Sequence, residues 1–131
     1  MKILLAAALA SLATAAVKPP PAWMTSASGR HKLGYSSFCW HTRSTGVCAD
    51  FVAPRCGMHS VPTIAVRRGE TVRFEVGFTP SSVQLSVHGR LRKLAVSRQS
   101  TWLVDRSGVL SLFVQAKGRG DATYTACLVF R

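Results

Sequence analysis

Four cysteines behind an export signal constrain this chain more than any other feature. Residues 1–15, MKILLAAALASLATA, set Lys2 ahead of an apolar run from Ile3 to Leu12 and close on Ala13-Thr14-Ala15. A membrane-spanning helix needs about 20 apolar residues, and this run is too short. A positive start, a short apolar stretch and a small-x-small ending define a secretory signal peptide, here cut after Ala15 or one residue later. No cysteine follows that cut, so no lipid anchor is expected, and no later segment is apolar and long enough to span a bilayer. An even number of cysteines in an oxidising compartment predicts two disulfides.

Three pairings are open to four cysteines, and the local sequence chooses between them. Phe38-Cys39-Trp40 and Val47-Cys48-Ala49 flank Thr42-Arg43-Ser44-Thr45, which reads as a hairpin loop. If His41 faces Gly46, then Trp40 faces Val47 and Cys39 faces Cys48. Residues directly opposite in an antiparallel pair are close enough for a bridge. Cys56 is then left for Cys127, which ties an early loop to the last strand.

Between the turns the chain alternates with period two, and no helical period appears after the signal. The clearest strand is Thr71 to Phe78, with Val72, Phe74, Val76 and Phe78 on one face. Thr63 to Val66, Val83 to Val87, Leu91 to Val96, Ser100 to Asp105, Val109 to Ala116 and Ala122 to Phe130 follow the same rule. Turn residues separate them, among them Arg67-Arg68-Gly69-Glu70, Arg106-Ser107-Gly108 and the glycine-rich Lys117 to Asp121. Roughly eight or nine short strands at that spacing predict an all-β chain: an immunoglobulin-like antiparallel β-sandwich stabilised by disulfides. A barrel of similar strand number is the alternative. Residues 16–29, rich in Pro, Ala, Ser and Thr, read as an extended lead-in or first edge strand, and 30–131 as one sandwich domain.

A family resemblance rests on short motifs. Leu33-Gly34-Tyr35, Phe38-Cys39-Trp40, Cys48-Ala49-Asp50 and Gly120-Asp121-Ala122-Thr123-Tyr124 resemble the markers of an uncharacterised family of small exported bacterial immunoglobulin-like proteins. That family's members carry Leu-Gly-Ser-Tyr-Cys-Trp, then Cys-Ala-Asp, then Gly-Asp-Ala-Tyr. The resemblance covers residues 33 to 130. This chain departs from it in the extra residues between Gly34 and Trp40, in Phe38 where a tyrosine is usual, and in Cys56 and Cys127. It implies fold and export and assigns no active site.

Charge points to the kind of partner. Without residues 1–15 the chain keeps 16 Lys+Arg against 5 Asp+Glu, a net of +11. Such a charge favours anionic partners, whether envelope components or acidic exported proteins. The cations are scattered, with Arg90, Arg92, Lys93 and Arg98 the nearest approach to a cluster. No recognition helix or basic-aromatic platform is legible, so nucleic acid is not expected as a partner.

Catalysis is poorly supplied. Only Asp50, Glu70, Glu75, Asp105 and Asp121 carry carboxylates. Glu70, Asp105 and Asp121 fall at expected turns, where such residues cap backbone donors. Glu75 is expected to face solvent beside Arg73, and Asp50 to pair with Arg43 or Arg55. Cys39 and His41 share a strand face and could form a thiolate–imidazole pair, but a disulfide would consume Cys39. Cys56-Gly57-Met58-His59 with His41 offers the soft sulfur and imidazole ligands that copper favours, without a recognised spacing. Arg119-Gly120-Asp121 spells an adhesion tripeptide at an expected hairpin tip, where glycine also serves the turn. Trp23, Trp40, Trp102 and Tyr35 could line a carbohydrate or peptide face. The expectation is Trp40 in the core, with Trp23 and Trp102 partly exposed.

The sequence therefore predicts an exported, non-enzymatic, envelope-associated binding module in the periplasm or outside the cell, with Cys39, Cys48, Cys56 and Cys127 as structural residues. No cofactor, catalytic residue or membrane span is expected. A periplasmic copper-binding protein using His41, Met58 and His59 is the first alternative. A small hydrolase or an enzyme inhibitor is the second.

Overall fold

The computed structural model describes residues 17–131, so the expected signal peptide lies outside the described residues. Eleven strands follow in order: β1 (Ala22–Ser26), β2 (Gly29–Lys32), β3 (Gly34–His41), β4 (Gly46–Asp50), β5 (Thr63–Val66), β6 (Thr71–Val76), β7 (Ser82–Val87), β8 (Arg90–Lys93), β9 (Gln99–Leu103), β10 (Gly108–Ala116) and β11 (Gly120–Phe130). They form two sheets. One runs β2-β1-β6-β9, and the other β4-β3-β11-β10-β7-β8. All these pairings are antiparallel. β5 alone runs parallel, along the final residues of β11.

Two separate sheets make a sandwich, not the barrel that the strand number also allowed. From β6 onward the chain visits the first sheet, the second twice, the first, then the second twice more. That is the immunoglobulin order of strands B, C, C′, E, F and G.

Period-two patterning explains the interior. Val72, Phe74 and Val76 of β6 face Leu110, Leu112 and Val114 of β10 across one core, joined by Leu85, Val87, Ala122, Tyr124, Ala126 and Leu128. Trp40 is buried as expected. Trp102 is not partly exposed but only 4% accessible, because it shares an inward face with the buried Ser100 and Val104.

The expected lead-in is more than an edge. β1 lies between β2 and β6, and Ala22 and Met24 are buried while Trp23 and Thr25 face outward. The preceding prolines disguise this alternation. They form a strap instead: the Tyr35 hydroxyl donates to the Pro19 carbonyl and the Tyr124 hydroxyl to the Pro20 carbonyl, each at 2.6 Å. Proline brings no N–H group, so only these carbonyls need partners.

Tyr35 reaches the strap because β3 bulges. Thr123 pairs with Ser37 but Tyr124 pairs with Tyr35, which leaves Ser36 over. One extra residue puts Tyr35 on the same face as Phe38 and Trp40, within the stretch where the sequence departs from the resembling family.

Both bridges form as the sequence predicts. His41 pairs with Gly46, Trp40 with Val47 and Cys39 with Cys48, and Cys39–Cys48 closes with Cα atoms 4.0 Å apart. Cys56–Cys127 fastens the loop after β4 to the outer face of β11, where Thr125 and Cys127 are buried too. Among the described residues no helix is long and apolar enough to cross a membrane.

Candidate functional site

Alternate turns of an antiparallel fold land at the same end of the molecule. Here the β3–β4, β6–β7, β8–β9 and β10–β11 turns converge with the proline strap. Main-chain bonds lock them together: His41 N–H to the Arg119 carbonyl (2.9 Å), Ser81 N–H to Gln115 (2.7 Å) and Val76 N–H to Arg98 (2.9 Å). Residues 17–21, 42–45, 77–81, 94–98 and 117–119 contribute Lys18, Arg43, Arg98, Lys117 and Arg119 and no carboxylate.

The cations surround a cleft of about 490 Å³. Trp40 and Phe78 form its floor, with ring centroids 4.9 Å apart. Lys18, Arg98, Lys117 and Arg119 line its walls. Arg98 is preset: its Nε and Nη2 both donate to Thr79 Oγ1, at 3.3 and 3.2 Å. Lys18 is carried in by the strap and lies over the Tyr35 ring at 5.6 Å. A second hollow of about 250 Å³ adjoins, lined by His41, Thr42, Arg43 and Gly118, and again by Arg119.

None of the wall cations makes an ion pair among the described residues. Three of the five carboxylates are engaged elsewhere. Glu70 takes N–H groups from Ala27 (2.9 Å) and Arg67 (2.6 Å). Partial burial pushes its pKa up, but those two bonds together with the Arg131 and Arg67 charges hold the group below its ordinary range. Asp105 binds Arg92 at 3.0 Å, and that hydrogen bond holds its carboxyl low. It serves a guanidinium, not the backbone donors expected of a turn residue. Glu75 sits between Arg30 and Arg73 on the outer face of the first sheet. Asp50 makes no ion pair with Arg43 or Arg55 among the described residues, contrary to expectation.

The adhesion-like tripeptide is not displayed. Gly120 and Asp121 already belong to β11, and Asp121 is flanked by Cys39 and Gln115. The true tip is Lys117-Gly118-Arg119, closed by Arg119 N–H to the Ala116 carbonyl at 3.0 Å. Gly120 serves the backbone: its φ is +125°, and a Cβ there would collide with the Cys39 carbonyl.

The copper set is scattered. His41 ends β3, whereas Met58 and His59 belong to the loop that packs its Ser60 carbonyl against Gly34, where β3 begins. Eight residues of strand separate those ends by roughly 20 Å. Met58 Sδ instead accepts the Arg55 N–H at 3.2 Å. All four sulfurs of the cysteines are bonded in pairs, which also removes the Cys39–His41 thiolate pair. Among the described residues no group of three or more His, Cys, Asp or Glu could hold a metal.

The nearest cluster in sequence also dissolves: Arg90, Arg92 and Lys93 lie on β8, and Arg98 alone reaches the cleft. The cations that do meet come from four separate segments. No signal in the sequence singles them out: only the β5–β6 and β9–β10 connections carry an Asp or Glu, so a turn without a carboxylate does not mark this end. Fold and site together define an immunoglobulin-like β-sandwich with a carboxylate-free cationic cleft at its B–C and F–G loop end. Compared with family models, curated proteins and solved structures, the chain matches none.

Proposed function

We propose that this protein is an exported, non-enzymatic binding module, acting in the periplasm or outside the cell, that holds an anionic envelope component in the cationic cleft. One observation carries the reading: Lys18, Arg98, Lys117 and Arg119 converge on a single concavity without a carboxylate among its lining residues. Clustered like charges in a concave wall focus the field and draw counter-ions of opposite sign. Their retention at one place costs repulsion that an anionic ligand relieves. Export is supported by the N-terminal segment and by two disulfides. Binding without turnover is supported by the engagement of Glu70, Glu75 and Asp105 with backbone or arginine groups away from the cleft.

Two triple variants of equal charge change test this. Arg98→Ala/Lys117→Ala/Arg119→Ala strips the cleft, and Arg30→Ala/Arg73→Ala/Arg90→Ala strips the sheet surfaces. On an immobilised acidic polysaccharide the first is expected to elute at clearly lower salt than the second. Equal elution would mean that net charge alone drives retention and would remove the cleft from the account.

A further inference from the structure

We infer that the ligand is a linear anionic glycan, bound as a chain of several sugar units laid across the β10–β11 tip, with Arg119 serving two neighbouring acidic groups. This rests on the anion-binding reading and gives it a ligand class.

Three observations lead there. First, Arg119 lines both hollows, so they are successive stations on one track. Its main chain is fixed on either side, with N–H to Ala116 and the carbonyl taken by His41. Second, the track is long. Arg43 belongs to the β3–β4 tip, Lys117 and Arg119 to the β10–β11 tip, and Arg98 to the β8–β9 loop beside Thr79. The strand order β4-β3-β11-β10-β7 lies beneath. At about 4.8 Å per strand the track runs roughly 15–20 Å, more than a single small anion can occupy. Third, the track offers charge but no stacking surface. Trp40 and Phe78 are only 5% and 8% exposed and pack on each other. Nucleobases bound on single strands are held largely by aromatic faces, and none is presented here. A glycan with carboxylate or phosphate groups at regular intervals needs spaced cations and no such face.

The test uses the disulfide-bonded protein from an oxidising compartment and calorimetric titration at physiological salt. The probes are galacturonic acid and its trimer and hexamer, a phosphodiester-linked hexose oligomer, a single-stranded DNA of matched charge, and phosphatidylglycerol vesicles. Linking acidic groups raises apparent affinity through effective concentration, so the hexamer is expected to bind at least about 10-fold tighter than the monomer. Arg119→Ala and Arg43→Ala are each expected to shrink that ratio at least about three-fold, and Arg73→Ala, outside the track, to leave it unchanged. The relative affinities of the galacturonate and hexose-phosphate oligomers tell carboxylate from phosphate as the group recognised. A monomer that binds as tightly as the hexamer, with cleft variants losing both, overturns the track while the cleft reading stands. No binding of any anion overturns both. DNA or vesicles held more tightly than either oligomer overturn the glycan assignment. Arg43 and Arg119 sit on different turns, so misfolding of one variant leaves the other to decide.

Discussion

Tyr124 is the largest fully buried side chain, and its hydroxyl ends on the Pro20 carbonyl. Tyr124→Phe would leave that carbonyl without its donor and is expected to cost about 1–3 kcal/mol in urea unfolding. Burial lifts the Tyr124 pKa far above the ordinary 10.0, with the Tyr35 charge adding to it, and burial lifts Tyr35 too. Unfolded, both lose their protons near pH 10; folded, they keep them. The stability they give is therefore whole below about pH 10 and drains away above it. Tyr124→Phe should flatten the fall in urea midpoint between about pH 10 and pH 12. Wild-type and variant curves that run parallel would refute this. Glycines make a second comparison. Gly118 has a φ of +77° with no neighbour near its missing Cβ, whereas Gly120 has a φ of +125° and the Cys39 carbonyl in the way. Gly118→Ala is expected to cost about 1–2 kcal/mol and Gly120→Ala distinctly more, as read from thermal midpoints. The Arg-Gly-Asp spelling was legible in the sequence. That its glycine yields to a neighbouring strand was not, because the neighbour is Cys39, far away along the chain.

Among elements, strands with alternating apolar residues were readable and the others were not. β6, β7, β10 and β11 declare themselves through period two. β1 hides behind three prolines, and β2, Gly-Arg-His-Lys, shows no apolar face because it is a polar edge of the first sheet. Charged edges of this kind discourage pairing with other chains. β4 has the opposite problem: it was legible through its cysteine register but buries almost nothing. Its place rests on the ladder to β3 and on Cys39–Cys48. The two bridges should thus differ in effect. They close 9 and 71 residues of sequence separation, worth about 3 and about 4 kcal/mol in the chain-entropy account. Cys56→Ser/Cys127→Ser should lower the global urea midpoint more, since it also frees the loop over β11. Cys39→Ser/Cys48→Ser should show mainly as faster amide exchange in residues 38–50. Equal midpoints and equal exchange patterns would show the bridges to be equivalent.

At the scale of the whole molecule, charge is arranged along the long axis. The strap end carries five cations and no carboxylate in its turns, whereas at the opposite end Glu70 and Asp105 lie among Arg67, Arg68 and Arg106. Net charge was legible from composition, but its direction was not, since it depends on which turns share an end and hence on strand order. The strands of that end hold together through main-chain groups at each tip: Thr42 N–H to Thr45, Arg119 N–H to Ala116, His41 N–H to Arg119. Side chains at 43, 117 and 119 have no part in those bonds. The frame and what it displays are therefore separable, and the tips can be rewritten letter by letter without renegotiating the core. A lineage, or an engineer, could keep this sandwich and change its clientele by exchanging a handful of turn residues.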